Sequence, residues 1–313
     1  MMRSRNNPSE IRDSSRSDLF DAEEMRRLES LALAARRSHR GEQRAERRSR
    51  KKGSGIEFAD HRAYVPGDDL RALDLGYYQR TGKFQVRLFE EEEDLSVHLL
   101  IDTSGSMSIQ GSHPDQARNK LLLAKRLAAA LAYIALVRLD RVSIEALHDA
   151  KTDALKPIRG AKRIFRILDF LGDLRAGGTT DLEGSVRRFI ARKPRRGLAI
   201  LISDLYDERG FESAVDLLRF ARFETLILHL DDRRDFIPLR KGDLTLVDRE
   251  TGRERTVTLT PALVRKLEGA HADRNARILR YAREKGVRYA RIPIEERYDD
   301  ATLRLLHEGI LSF

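Results

Sequence analysis

The chain has 313 residues, enough for one large domain with appendages or for two modest domains. Its net charge of +10 favours acidic partners such as nucleic acid, an anionic membrane or an acidic protein surface. The absence of cysteine excludes disulfides and thiolate metal sites. No stretch is long and apolar enough to span a bilayer, and the N-terminus does not resemble a secretory signal. We therefore expect a cytoplasmic protein without membrane insertion.

Residues 1–52 form a polar and increasingly basic arm. Apolar residues at helical spacing cover Glu23 to Ala35, and a run rich in arginine and lysine follows them. We expect the arm to be partly helical or disordered, with too little apolar surface to join a core. The basic run is interpreted as a solvated tail or, alternatively, as a tail that binds polyanions.

Residues 53–94 have a different pattern, typical of strands. Phe84, Val86 and Leu88 occupy alternate positions, and Thr81 to Lys83 indicates the tip of a hairpin. We expect a small β-hairpin subdomain here. Its charged residues either bind a partner or form an ion-pair network that holds the subdomain to the sheet. These residues are Arg62, Asp68, Asp69, Arg71, Asp74 and Arg80.

Predicted strands and helices alternate from residue 95 onward. The predicted strands are 96–101, 141–147, 155–158, 197–202, 224–230 and 287–292, with a hairpin at 244–259. The predicted helices are 115–139, 161–171, 181–191, 211–221 and 261–285. This alternation predicts an α/β, Rossmann-like domain over residues 95–313, with a mainly parallel central sheet flanked by helices on both faces.

Side chains that carry oxygen follow several of these strands. Asp102, Ser104 and Ser106 come directly after the first predicted strand of the domain, and their spacing of two places them on one side of an extended chain. Two further loops of this kind are 177–181 and 203–204. Because ligands bind beyond the carboxyl ends of strands in such sheets, we expect the loops to converge. A set of oxygens without His or Cys suits Mg²⁺, with Mn²⁺ as an alternative. The other interpretation is a strand-to-helix turn with capping hydroxyls.

These residues resemble the metal-ion-dependent adhesion site of von Willebrand factor A-like (VWA) domains. In that site a D-x-S-x-S motif, a Thr in a Gly-rich loop and an Asp after a later strand hold one Mg²⁺. A carboxylate of the partner commonly completes the coordination. The resemblance implies five metal ligands in this chain, which are Asp102, Ser104, Ser106, Thr179 and Asp204. Thr180 is an alternative to Thr179.

A longer stretch carries a second resemblance. The residues GSGIEFADHRAYVPGDDLRALDLGYYQRTGKFQVRLFEEEEDLSVHLLIDTSGSM, at 53–107, resemble the DUF58 family of bacterial proteins, which pair this stretch with a VWA domain. Members often occur with MoxR-type AAA+ ATPases. The resemblance implies a role in the assembly or maturation of other proteins, with such an ATPase or its client as the partner.

Several enzyme motifs are missing from the sequence. It contains neither a G-x-x-x-x-G-K-[ST] nucleotide-binding loop nor a G-x-S-x-G nucleophile elbow. We therefore expect a non-enzymatic protein-binding module whose Mg²⁺ accepts an acidic side chain of the partner. A nucleic-acid-binding protein that uses the basic arm is the weaker alternative. A Mg²⁺-dependent hydrolase is the third.

Overall fold

The computed structural model describes residues 21–38, 52–53, 57–90, 95–108, 119–148, 153–235, 242–247 and 254–311. The chain separates into two compact units, one formed by Met1–Ala34 with Leu95–Phe313 and the other by Ala35–Asp94. This division differs from the predicted one, which separated an arm at residues 1–52 from a subdomain at 53–94. The basic run of the arm, at 39–51, lies outside the described residues.

The helices and strands are numbered in chain order. The helices are α1 (Ala22–Ser38), α2 (Leu75–Thr81), α3 (Lys120–Val137), α4 (Ile164–Asp173), α5 (Leu182–Ala191), α6 (Glu212–Phe220), α7 (Pro261–Lys285) and α8 (Tyr298–His307). The strands are β1 (Lys52–Gly53), β2 (Glu57–Ala63), β3 (Gln85–Glu90), β4 (Ser96–Asp102), β5 (Arg141–Leu147), β6 (Ala154–Arg159), β7 (Leu198–Ser203), β8 (Glu224–Asp231), β9 (Gly242–Val247), β10 (Glu254–Leu259) and β11 (Arg288–Pro293).

The smaller unit contains a three-stranded antiparallel sheet in the order β1-β3-β2. β2 and β3 pair, but helix α2 lies between them in the chain, so the predicted hairpin tip at 81–83 is wrong. The side chain of Asp74 accepts a hydrogen bond from the Tyr77 amide at the start of α2. Gly82, with φ of 68°, ends the helix in the left-handed conformation that glycine adopts readily. Gly82 is therefore the end of helix α2, which begins after the cap at Asp74, and it is not the tip of a hairpin.

A six-stranded sheet in the order β11-β8-β7-β4-β5-β6 forms the centre of the larger unit. Neighbouring strands are parallel, except for β6, which is an antiparallel edge strand beside β5. Every residue of β4 and β7 is buried, because helices cover both faces of the sheet. The predicted mainly parallel α/β fold is confirmed. β9 and β10 form the predicted antiparallel pair, and the turn between them lies outside the described residues.

Two helix layers complete the core of this unit. On one face, α5 and α6 pack against the sheet through Val186, Phe189 and Leu218. On the other face, α3 contacts β4 and is flanked by α4 and α8. α3 is apolar around most of its circumference and is accordingly buried on most sides. In the described part of the chain, no helix has both the length and the apolarity that crossing a membrane requires.

Helix α1, as far as Ala34, also belongs to the larger unit. Leu28, Leu31 and Ala32 follow one another at the spacing of a single helix face, and all three are buried. Arg27 lies 3.3 Å from the Asp299 carboxylate of α8, which adds a polar contact. The expectation that the arm has too little apolar surface to join a core is therefore wrong for this helix. Few apolar residues suffice because the buried ones share one face of the helix.

Candidate metal centre

Asp102 ends β4 at the carboxyl edge of the sheet and is fully buried. Its Oδ1 accepts a hydrogen bond from the Ser104 amide at 2.9 Å, and its Oδ2 accepts one from Ser203 Oγ at 2.6 Å. A 3₁₀ turn at Gly105–Met107 follows and brings Ser106 Oγ to 3.0 Å from Ser104 Oγ. The D-x-S-x-S residues thus form one tight turn with their side-chain oxygens close together.

The Gly-rich loop lies directly beside this turn. The Gly105 amide donates a hydrogen bond to the Gly178 carbonyl at 3.0 Å, and the Gly177 amide donates to the Thr103 carbonyl at 2.9 Å. The two predicted threonines differ in exposure, since Thr179 is exposed and Thr180 is buried. The two backbone hydrogen bonds hold the Gly-rich loop at 177–181 against the D-x-S-x-S turn, so these two predicted loops lie together.

The third predicted loop ends β7 in the adjacent position. Ser203 Oγ, which donates to Asp102, also accepts a hydrogen bond from the Leu205 amide at 2.8 Å. Leu205 has φ of 58°, in the left-handed region that residues other than glycine rarely adopt. This uncommon backbone conformation directly after Asp204 is held by the Ser203 contact and by the Tyr206 amide, which donates to Asp204 Oδ1 at 3.1 Å.

The other carboxylate oxygen of Asp204 forms an ion pair with a buried lysine. Lys120 Nζ lies 2.5 Å from Asp204 Oδ2 and 2.7 Å from Asp235 Oδ2, and its side chain is 1% exposed. Burial by itself would lower the pKa of Lys120, but the two carboxylates outweigh that effect, and the pKa is raised. Burial raises the pKa of Asp235, although the Lys120 charge opposes the change.

Sequence reasoning did not identify Lys120 or Asp235. The rule that found Asp102 and Asp204 could have identified Asp235, because this residue follows closely on β8, which ends at the same edge of the sheet. For Lys120, the signal is a lysine at the first position of a helix that is otherwise largely apolar. Which carboxylate such a lysine meets depends on the tertiary structure.

The electrostatics of Asp102 differ from those of Asp204. Burial, together with the nearby charge of Asp204, raises the pKa of Asp102 to about 7. Within the described residues, the hydrogen bonds to its carboxylate come from a backbone amide and serine hydroxyls, which carry no positive charge. A cation at this turn would therefore relieve a buried and uncompensated negative charge.

The chemistry of the donors fits a hard cation at part of the predicted set. Asp102, Ser104 and Ser106 supply closely spaced oxygens, which Mg²⁺ prefers. Asp204 fits less well, since its Oδ2 already pairs with the buried ammonium group of Lys120, a cation that competes with a metal ion for the same carboxylate. No three His, Cys, Asp or Glu side chains in the described part of the chain are grouped to hold a metal ion. A metal here would consequently depend on hydroxyl ligands.

Comparison with known proteins identifies relatives of this chain. It is 26% identical over 274 residues to an uncharacterized protein of Mycobacterium tuberculosis, a match that covers 87% of this chain and 85% of the relative. Among solved structures, BatB from Bacteroides thetaiotaomicron is 16% identical, with a TM-score of 0.41, and the match covers 69% of this chain and 97% of BatB. The VWA domain of SpRpn10 is 13% identical, with a TM-score of 0.38, over 70% of this chain and 99% of that domain.

A family match extends over most of the sequence. Residues 60–277 match the family described as "Protein of unknown function DUF58". The matched region includes α2, β3 and the three loops of the candidate metal centre. Because the match covers more than half of the 313 residues, the chain belongs to the DUF58 family.

Proposed function

We propose that this protein is a non-enzymatic, metal-dependent protein-interaction module. The proposed ion is Mg²⁺, with Mn²⁺ as an alternative, and its ligands are Asp102, Ser104, Ser106 and one of the two threonines, Thr179 or Thr180. Asp204 pairs with Lys120 and is a neighbour of the proposed ion, not one of its ligands. A partner's acidic side chain would bind to the ion from outside.

The observation that carries this proposal is the environment of Asp102. A fully buried carboxylate is costly without a positive charge beside it, and that of Asp102 is surrounded by hydroxyl and amide groups. When bound, Mg²⁺ would supply positive charge and an open coordination position for an anionic oxygen. Serine hydroxyls are neutral ligands, so such an ion keeps net positive charge and attracts an external carboxylate.

The proposed partner is a MoxR-type AAA+ ATPase or a client protein of that ATPase. The support for this choice is what the resemblance of residues 53–107 to DUF58 proteins implies, since such proteins often occur with an ATPase of this type. Nucleic acid is a weaker candidate, because the basic run at 39–51 contains no Phe, Tyr or Trp on which bases could stack. We therefore propose a role in the assembly or maturation of other proteins.

Calorimetric titration with Mg²⁺ tests the site. We expect Mg²⁺ to bind once, and we expect Asp102→Asn or Ser106→Ala to weaken binding at least about tenfold. Asp216→Asn is the matched control, since its side chain is 44% exposed on α6, and it should bind Mg²⁺ as the wild type does. Equal binding by wild type and Asp102→Asn would refute the metal centre.

The two threonines are separated by the same titration. Thr179→Val and Thr180→Val each remove one hydroxyl and keep the shape of the side chain. Loss of binding in only one variant identifies the ligand. If both variants bind Mg²⁺ with wild-type affinity, then the Gly-rich loop does not contribute a hydroxyl to the ion.

Co-purification with the ATPase tests the partner. Complex formation should be lost in EDTA, return with Mg²⁺, and be weakened by Ser106→Ala. A complex that is indifferent to EDTA and to Asp102→Asn would show that the ATPase binds elsewhere. Turnover of a phosphoester that requires Mg²⁺ and Asp102 would instead favour a hydrolase.

A further inference from the structure

Three carboxylates lie along one edge of the central sheet in the larger unit. Asp102 ends β4, Asp204 follows β7, and Asp235 lies in the short turn after β8. These strands are parallel neighbours in the order β8-β7-β4, so their carboxyl ends meet at the same edge. Asp204 is the middle one of the three, and it directly follows Ser203, whose Oγ donates to Asp102 Oδ2 at 2.6 Å.

Positive charge is divided unequally among these carboxylates. Lys120 Nζ lies 2.5 Å from Asp204 Oδ2 and 2.7 Å from Asp235 Oδ2. The groups that donate to Asp102 are a serine hydroxyl and the Ser104 amide, both of which are neutral. Lys120 therefore compensates Asp204 and Asp235, whereas Asp102 is left for an external cation.

The ammonium group of Lys120 is enclosed at this position. Lys120 is the first residue of α3, and its side chain is 1% exposed. The ring of Tyr206 lies 5.7 Å from Nζ and covers it further. Arg274 donates to the main-chain carbonyl of Asp204 at 2.6 Å, whereas Lys120 pairs with the carboxylate. Moving the ammonium group away would break two ion pairs in a poorly solvated site, so Lys120 keeps its hold on Asp204.

This pairing determines the charge of an ion bound at Asp102. The other proposed ligands are hydroxyls, so the ion would receive a single carboxylate from this chain. Asp204 as a further ligand would cancel more of the ion's charge and would weaken its attraction for a carboxylate from outside. The state of Asp204 therefore affects the binding of the metal and the binding of the partner in opposite directions.

We propose that Lys120 is a specificity-determining residue of the candidate metal centre, which withholds Asp204 from the ion and so reserves the ion's remaining charge for an acidic group of the partner. This inference rests on the proposed function, because it requires an ion at Asp102. Lys120 lowers the affinity for the metal and raises the affinity of the loaded centre for a carboxylate. A lysine that only braced the fold would act in the opposite direction, since its loss would loosen the edge and weaken metal binding.

Calorimetric titration of the full-length protein with Mg²⁺ tests the first effect. Lys120→Met keeps the length of the side chain and removes its charge, which makes Asp204 available to the ion. We expect Lys120→Met to bind Mg²⁺ about tenfold more tightly than the wild type. The double variant Lys120→Met with Asp204→Asn should lose this gain, because the added ligand is then neutral.

Lys125→Met is the matched control. Lys125 is also a buried lysine of α3, but its Nζ donates to the Leu174 carbonyl at 2.8 Å and not to a carboxylate. Its loss should not strengthen Mg²⁺ binding. Lys120→Gln provides a second variant if Lys120→Met does not fold, since glutamine is neutral but keeps a hydrogen-bond donor, and it should show the same gain.

Acetate is the probe for the second effect. With Mn²⁺ in the site, paramagnetic relaxation of the acetate methyl protons reports acetate bound at the ion. We expect this relaxation to be smaller in Lys120→Met than in the wild type at equal occupancy by Mn²⁺, because Asp204 then supplies the charge that acetate would otherwise bring. Equal or greater relaxation in Lys120→Met would contradict the proposal.

The failure of this inference is distinguishable from the failure of the proposed function. Mg²⁺ binding by the wild type that is equal or weaker in both Lys120 variants would overturn the role of Lys120 and leave the metal centre intact. An equal gain in Lys125→Met would also overturn it, because the effect would then not depend on Asp204. Absence of Mg²⁺ binding by the wild type would instead refute the metal centre, and this inference with it.

Discussion

Lys120 is held between Asp204 and Asp235 with almost no contact to solvent. A charge in this position is stable because each partner compensates it, and removal of one member leaves the others unpaired in a poorly solvated site. The lysine thus holds Asp204 at the edge of the candidate metal centre. The contribution of Lys120 to stability and to metal binding can be measured separately.

Replacement of this lysine by an apolar side chain should be costly. We expect Lys120→Met to lower the free energy of unfolding by about 3–5 kcal/mol, the range found when a buried ion pair loses one partner. Lys285→Met is the control, because the Lys285 pair with Asp216 is 3.7 Å long and exposed, and it should change stability by about 0–1 kcal/mol. Urea unfolding measures both variants. Equal values would show that the buried contact contributes no more than a surface pair.

His229 predicts a dependence of stability on pH. Burial and the neighbouring Arg274 guanidinium lower its pKa from 6.5 to about 3. Below pH 6.5 this histidine therefore takes up a proton in the unfolded chain but not in the folded chain. The contribution of His229 to the free energy of unfolding is consequently full above pH 6.5 and is lost as the pH falls toward 3. His229→Gln should reduce the slope of stability against pH between these values, by at most about tenfold in the unfolding constant per pH unit.

Thermal unfolding of both proteins across this range measures the effect. Asp102 shifts in the opposite direction, since its pKa is raised, and the metal-free protein loses that contribution as the pH rises from 3.8 to about 7. Only the difference between wild type and His229→Gln isolates the histidine, because Asp102 is present in both. Parallel curves would contradict the shift at His229.

At the scale of elements, α1 shows how a mainly polar helix joins a core. Its buried residues lie on one face, while Leu33 lies on another face and is 54% exposed. Leu31→Ala should lower the free energy of unfolding by about 2–5 kcal/mol, as other buried leucine truncations do. Leu33→Ala should leave stability nearly unchanged. If chemical denaturation gives the same small loss for both variants, then α1 does not pack as the structure shows.

At the scale of the whole molecule, the larger unit is completed by a segment that is distant in sequence. α1 contributes Leu28 and Leu31 to the core and pairs Glu24 with Arg126 of α3 at 3.1 Å. Deletion of residues 1–38 should therefore lower stability by several kcal/mol, since each fully buried leucine contributes about 1.5–3 kcal/mol. Circular dichroism during heating measures the loss. A truncated chain that melts at the same temperature as the full chain would contradict this role.

The sequence by itself determined the α/β architecture and the neighbourhood of Asp102, Ser104 and Ser106. Apolar strands such as β4 and β7 have local patterns, and the carboxyl-end rule placed the three oxygen-bearing loops together. Only the tertiary structure decided that α1 is buried and that α2 stands where a hairpin turn was predicted. It also decided that Lys120 meets Asp204 and Asp235. The burial of α1 and the pairing of Lys120 depend on contacts between residues far apart in the chain. The formation of α2 depends on the helix caps at Asp74 and Gly82. Local periodicity encodes neither of these.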